Sequence, residues 1–213
     1  MTYPHRTLDD VAQLASFEGW SQEVYTDFFR LRRKEMTDAE FRAKYHRECA
    51  ILSMDMTGFT SSAMHRGELK SLLRILDAQT VVIPVLQEFC AELIRCFADD
   101  IVALFPEPNV AVDAAIESHR RIQVYNKSSL ASEFPTQCCA GIGYGAVLAI
   151  GPNLAQGDEM NRASKLGEDI ARANETLLTE NAYALVADRE EFRFEAQDQD
   201  DLLFPYHRVV LCD

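Results

Sequence analysis

Residues 50–60, Ala-Ile-Leu-Ser-Met-Asp-Met-Thr-Gly-Phe-Thr, constrain this chain more than any other stretch. A short apolar run ends in the carboxylate of Asp55, and Thr57-Gly58 then turns the chain into helical sequence. This reads as a buried strand over 50–55 that carries an acid to the end of a sheet, beside a helix start. Unpaired backbone N–H groups and the helix dipole at such a start favour anions. A second stretch, Arg95 to Phe105, reads as two strands around a turn at Ala98-Asp99-Asp100. Two strand-borne carboxylates beside a helix N-terminus suit a divalent cation that holds a phosphate, since hard oxygen ligands select Mg²⁺ or Mn²⁺. Aspartate is also a common turn former, so Asp99 alone leaves both readings open.

The remaining chain alternates in character. Residues 1–46 read as helical: Thr7 with Asp10 suggests a first N-cap, Gln22 to Lys34 a second helix, and Thr37-Asp38-Ala39-Glu40 a capping box opening a third. Such helices either pack on a catalytic core or serve dimerisation or regulation. After strand 50–55, helical sequence runs to about residue 94, with Pro84 placed to kink or divide it. Helices are expected over 109–127 and 158–173. Cys138 to Ile150 reads as a strand pair or one long bent strand, and Thr176 to Val186 is mixed. Phe192-Arg193-Phe194 and Tyr206 to Leu211 read as terminal strands, joined by a solvated acidic loop at Asp198 to Asp201. The order strand, helix, strand, strand, helix, strand is that of an α+β, ferredoxin-like βαββαβ domain. The division is an N-terminal helical segment over 1–46 and a ferredoxin-like domain over 47–213.

Charge narrows the partners. With 34 Asp+Glu against 21 Lys+Arg the net charge is −13, which repels nucleic acids and anionic membranes. The six cysteines form no Cys-x-x-Cys pair, so a zinc site is not expected and reduced thiols are. Adjacent Cys138 and Cys139 would point to opposite faces of a strand. The first residues carry no apolar leader run, and Val81 to Leu86, the longest apolar run, is too short to span a bilayer. A cytoplasmic protein is the expectation.

Four blocks, in order over residues 48–186, resemble the class III adenylate/guanylate cyclase catalytic domain. Asp55-Met56-Thr57-Gly58-Phe59-Thr60 is similar to the family's Asp-x-x-Gly-Phe-Thr, and Ala98-Asp99-Asp100-Ile101 to its Gly-Asp hairpin. Gly141-Ile142-Gly143-Tyr144-Gly145 is similar to its Gly-Ile-x-x-Gly strand. Gly157-Asp158-Glu159-Met160-Asn161-Arg162-Ala163-Ser164-Lys165-Leu166 is similar to its Gly-x-x-Val-Asn-x-Ala-Ser-Arg-Leu helix start. The resemblance implies the class III cyclase fold and two Mg²⁺ or Mn²⁺ ions per site, bound by Asp55, Asp99 and the Met56 carbonyl. It implies a nucleoside triphosphate substrate, with Phe59 and Thr60 near the phosphates, Asn161 orienting the ribose and Lys165 standing where the family has a transition-state arginine. It also implies a homodimer whose composite sites take metal ligands from one subunit and ribose and base contacts from the other.

The departures concern the base. Arg95 and Leu154 occupy positions at which adenylate cyclases carry a lysine and an aspartate. Arginine only donates, and leucine cannot accept from an exocyclic amino group. Uracil lacks that group and offers two carbonyl oxygens, and Phe97 could fill space left by a smaller ring. The expected substrate is a pyrimidine triphosphate, UTP ahead of CTP. Compact cyclases with a remodelled base pocket resemble the bacterial pyrimidine cyclases of antiphage defence, which make cyclic UMP or cyclic CMP as an alarm. The alternatives are an adenylate cyclase with a drifted pocket and a degenerate cyclase-like domain that binds without turnover. Ala98 replaces the hairpin glycine, and Arg208 is the nearest cation to the family's C-terminal phosphate-binding lysine.

Overall fold

A computed structural model describes residues 7–17, 19–58, 67–129, 131, 134–151, 155–197 and 204–212. The chain divides into two compact units, residues 1–47 with 147–156 and residues 48–146 with 157–213. Among the described residues, no helix is long and apolar enough to cross a membrane.

The first unit holds three helices: α1 (Val11–Ala15), α2 (Gln22–Arg32) and α3 (Asp38–Tyr45). The first cap falls on Asp10 itself rather than on Thr7, with the Asp10 side chain accepting from the Gln13 N–H. Helix α2 stops at Arg32, short of Lys34, which has a left-handed φ of 61°. The capping box of Thr37 and Glu40 is present, each side chain accepting from the other residue's backbone N–H. Val24, Phe41, Tyr45 and Ile150 form a small core with Trp20 and Phe28, and the rings of Trp20, Phe28, Phe41 and Tyr45 follow one another at 4.6–4.9 Å.

Buried Asp27 sits beside this core. Its carboxylate accepts from Lys44 at 2.6 Å, Tyr45 at 2.9 Å and Arg30 at 3.1 Å. Burial pushes its pKa up, but these donors outweigh burial and leave it below the ordinary value. A depressed carboxylate stabilises the fold above its ordinary pKa, and that contribution disappears as pH falls. Asp27→Ala is therefore expected to cost about 2 kcal/mol at pH 7. Urea unfolding should show the deficit shrinking below about pH 4.

The second unit is built on the sheet. Strand β1 (His46–Met56) is buried without alternation from Cys49 to Met54, as expected of a central strand covered on both faces. Helix α4 (Glu68–Glu88) follows, then β2 (Leu93–Phe97), β3 (Asp100–Phe105), α5 (Pro108–Tyr125) and β4 (Cys138–Ala149), one long strand. Helix α4 ends earlier than residue 94 and continues through Pro84 undivided. Thr80 and Pro84 are both exposed, so the carbonyl that loses its donor lies on the solvent side. After β5 (Ala155–Gln156) come α6 (Asp158–Ser164) with a π-helical continuation (Lys165–Ile170), β6 (Thr176–Thr179), α7 (Glu180–Tyr183), β7 (Phe192–Gln197) and β8 (Tyr206–Leu211). The acidic run at 198–201 lies outside the described residues.

The sheet order is β2-β3-β1-β4-β6-β8-β7. Its first four strands have the ferredoxin-like order, with β3 antiparallel to both β1 and β2. Strand β6 then adds parallel to β4, and β8 and β7 follow antiparallel. Cys138 and Cys139 are both buried, one on each face of the covered sheet. The six cysteines are free.

Candidate active site

Sheet register brings the acids together. Met54 pairs with Ile101 across β1 and β3, so Asp55 emerges at the same end of the sheet as the β2–β3 turn. That turn is two residues, Ala98-Asp99, closed by Phe97 opposite Asp100. Ala98 takes a left-handed φ of 52°, the conformation glycine adopts without strain. The Gln79 side chain of α4 braces it by donating to the Ala98 carbonyl at 3.1 Å. Asp55, Asp99 and Asp100 each place a carboxylate oxygen within 4.8 Å of the others, and all three are half-buried.

This cluster is electrostatically uncomfortable. The Asp55 carboxyl is pushed up to about 6, first by burial and then by the charges of Asp99, Asp100 and Glu168. The hydrogen bond that Asp55 Oδ1 accepts from the Met56 N–H, 2.7 Å, opposes that rise. Asp100 is also raised, by burial first and then by Glu168 and Asp99, while Arg95 pulls it down. Like charges held at this spacing want a cation between them. Three carboxylates offer hard oxygen donors only, the donor set of Mg²⁺, Mn²⁺ or Ca²⁺ rather than of a thiolate-seeking metal.

Two of the acids were not singled out in the sequence. Asp100 directly follows Asp99, and strand alternation would send the two apart, but Asp99 belongs to the turn and is free of that alternation. The same fact limits the alignment of Arg95, Phe97 and Asp99: the strand ends at Phe97. Half-buried Arg95 and exposed Phe97 share a face of β2 with the cross-strand neighbour Asp100. Glu168 comes from the π-helical segment, where Ser53 Oγ donates to it at 3.5 Å. A sequence that reads as one α-helix over 158–173 gives no sign of this wider turn.

Two glycines fix how that segment approaches. A Cβ on Gly141 would lie 2.1 Å from the Ala163 carbonyl oxygen, and one on Gly167 would lie 2.5 Å from the Ser53 carbonyl oxygen. Only glycine admits such contact between helix and strands. Cys139 Sγ donates to the Gly167 carbonyl at 3.1 Å and the Asp55 carbonyl at 3.5 Å, spanning the same junction. At the other end of α6, the buried Glu159 carboxylate accepts from Thr179 Oγ1 at 2.7 Å, Arg162 at 2.9 Å and Asn181 at 3.0 Å.

Asn161 and Lys165 are exposed on α6 and its continuation. Lys165 is held by Asp169 at 2.6 Å, both side chains being about half exposed; such a surface pair is weak and exchangeable. Arg208 is engaged by Glu175 at 3.2 Å and by Glu195. Buried Met56 places its side chain in the main core. Phe59, Thr60 and Leu154 lie outside the described residues.

A scan of protein-family models finds no match, and neither does a search of the curated proteins. Solved structures do match. The catalytic core of a rhodopsin-guanylyl cyclase with converted specificity, in complex with ATPαS, superposes with a TM-score of 0.66 at 15% identity, covering 79% of this chain and 98% of that one. The adenylyl cyclase CyaB from P. aeruginosa gives 0.65 at 17% identity, over 79% and 96%. A non-canonical dimeric guanylyl cyclase domain of the RhoGC fusion protein from the aquatic fungus Blastocladiella emersonii gives 0.63 at 15%, over 78% and 98%. The chain has the class III cyclase fold. In this cyclase fold the three-carboxylate cluster occupies the end of the first strand and the tip of the β2–β3 hairpin.

Proposed function

We propose that the chain is a metal-dependent nucleotidyl cyclase that converts a pyrimidine nucleoside triphosphate, UTP ahead of CTP, into a 3′,5′-cyclic nucleotide and pyrophosphate. The convergence of Asp55, Asp99 and Asp100 within 4.8 Å carries the metal-dependent part of this reading. In it, Asp55, Asp99 and the Met56 carbonyl hold two Mg²⁺ or Mn²⁺ ions. Bound there, divalent cations supply charge neutralisation to the triphosphate and acidify the ribose 3′-hydroxyl. The 3′-oxygen attacks the α-phosphorus, its proton leaves to solvent, and the bond to the pyrophosphate oxygen breaks.

The chain's own residues bind and orient. Asn161 holds the ribose, and Lys165 exchanges Asp169 for a phosphate oxygen. Its single ammonium offers less directional contact than a guanidinium. Phe59 and Thr60 lie where the phosphates thread. Arg95 donates to the carbonyl edge of the base, with Phe97 and Leu154 closing the space around a small ring. Exposure of Asn161, Lys165 and Phe97 is consistent with a homodimer in which one copy completes the site of the other. Six free cysteines fit a reducing cytoplasm, and the product fits a second messenger of antiphage defence.

Purified protein incubated with each of the four triphosphates and Mn²⁺ tests this, with cyclic product and pyrophosphate followed together. UTP or CTP should turn over fastest, by at least about tenfold over ATP and GTP. Product from ATP alone would remove the pyrimidine assignment, and no cyclic product from any nucleotide would remove the enzyme.

A further inference from the structure

Helix α6, which carries Asn161, is seven residues long, too short to hold its own direction. Its start at Gly157 has no side-chain cap. One acid grips it instead. Glu159 is 6% exposed, and each of its carboxylate oxygens accepts two hydrogen bonds. Oε1 accepts from Arg162 at 2.9 Å and from the Asn181 amide at 3.0 Å. Oε2 accepts from Thr179 Oγ1 at 2.7 Å and from the Tyr144 N–H at 3.3 Å. An ionised carboxyl offers about four such sites, so this one is filled. Its donors come from β4, β6, α7 and α6 itself. Strand β4 makes room for it. A Cβ on Gly143 would lie 2.8 Å from the Glu159 carbonyl oxygen, and one on Gly145 would lie 2.9 Å from its Cγ. Glu159 and Gly143 both stand at positions that the cyclase motifs leave open, so their pairing belongs to this chain rather than to those motifs.

We propose that Glu159 is the positioning residue for ribose recognition: its carboxylate fixes the rotation and height of α6 and so aims Asn161 at the substrate. The inference rests on the role given to Asn161 above. Two residues along a helix is a turn of about 200°, so buried Glu159 and exposed Asn161 lie on opposite sides of α6. Glu159 therefore acts through the helix and does not meet the nucleotide. A buried charge is a costly way to hold a helix. Apolar side chains of similar size often hold a fold as well or better, and Met160 and Ala163 already bury the inner face of this one. Apolar packing, however, tolerates a small slide or roll. Four directed hydrogen bonds, three of them to other elements, do not. What the acid adds is geometry, and geometry counts most in the transition state. A displacement of about 1 Å in an orienting group can cost about a hundredfold in rate.

A double-mutant cycle with the Asn181 amide, in the full chain, tests the proposal. Glu159→Gln turns one acceptor into a donor that faces the Arg162 and Asn181 donors. Asn181→Asp sets a second carboxylate against Glu159. Each single variant should lower kcat, Glu159→Gln at least about hundredfold and Asn181→Asp at least about tenfold, with KM for the preferred triphosphate kept within about threefold. The pair Glu159→Gln/Asn181→Asp reverses that one hydrogen bond and keeps the net charge, so its kcat should return to within about fivefold of wild type. Circular dichroism and thermal melts, run first, set an assay temperature at which the variants are folded; a merely structural acid would leave kcat per folded molecule unchanged. Single variants that keep kcat within about threefold overturn the proposal. So does a raised KM at unchanged kcat, or a pair no faster than the slower single. If Glu159→Gln fails to fold, Asn181→Ala decides, since it removes one donor from an exposed residue: kcat lowered about fivefold at unchanged KM supports the proposal, and unchanged kcat overturns it. A wild type that makes no cyclic product from any triphosphate overturns the enzyme reading and this inference with it. An active wild type with unaffected variants overturns this inference alone.

Discussion

Asp55→Asn is expected to lower turnover at least about a thousandfold, roughly 4 kcal/mol of barrier, while making the metal-free protein more stable at pH 8. Both effects follow from one arrangement. Asp55 is half-buried, faces the negative charges of Asp99, Asp100 and Glu168, and has its carboxyl pushed up to about 6. A carboxyl raised in the fold contributes stability that is fully present below its ordinary pKa, near 4, and lost as pH rises through about 6. The ionised form is thus a burden on the metal-free fold at neutral pH and above. Asparagine removes the charge and keeps an oxygen that can accept from the Met56 N–H. The wild type should therefore gain melting temperature on addition of Mn²⁺ and should lose it, without metal, between pH 4 and pH 7. Asp55→Asn should lose the Mn²⁺ response and show a smaller loss with pH, the remainder coming from Asp100, which is raised as well. Proton and cation compete for the same oxygens, so Mn²⁺ affinity measured by calorimetry should weaken as pH falls below about 6. A variant that keeps wild-type turnover, or that still responds to Mn²⁺, would remove Asp55 from the metal site.

Gly141→Ala is expected to cost about 3 kcal/mol or more, a fall in melting temperature of about 6–12 °C for a chain of this size. The obstacle is backbone rather than a flexible side chain: the Ala163 carbonyl oxygen at 2.1 Å and the Gly167 nitrogen at 2.5 Å from the added Cβ. Neither can step aside without moving α6 or its π-helical continuation away from β4. Gly167→Ala meets the Ser53 carbonyl oxygen at 2.5 Å and the Gly141 nitrogen at 3.0 Å, so it opens the same gap. The double variant should then cost less than the sum of the singles, because residues that share contacts do not add. Thermal melts of the three variants measure this directly. Full additivity would mean that the two glycines act at separate junctions.

That junction also explains which parts of the site could be read from the chain. The run before Asp55, the acid at its end and the Thr57-Gly58 turn are local signals, and the structure has the turn where the pattern puts it and the strand around 50–55, begun earlier, at His46. The capping box at Thr37 is equally local. Errors fell at boundaries and at non-repetitive geometry. Thr7 and Asp10 compete for the same cap, and nothing short of the backbone angles chooses between them. Glu168 is aimed by a π-helical turn, which adds a residue to the helical period and so escapes any search for α-helical spacing. Asp100 is hidden by its neighbour, because alternation applies along a strand and stops at a turn.

The sequence by itself determined the units of this protein: a buried strand closed by a carboxylate, an acidic hairpin, a glycine-rich strand and a helix that starts at Asp158, in ferredoxin-like order. Local propensity and hydrophobic pattern suffice for those, since each concerns neighbours in the chain. Only the tertiary structure decided that Asp55, Asp99 and Asp100 share one site and that Glu168 acts on it. These residues come from β1, the β2–β3 hairpin and the π-helical segment, and their meeting depends on the register of β1 with β3 and on the close approach that Gly141 and Gly167 permit. It also decided that Leu69, Leu72, Leu73 and Leu76 of α4 face outward. The spacing shows that they share a stripe, but which stripe of a helix meets the core is settled by packing.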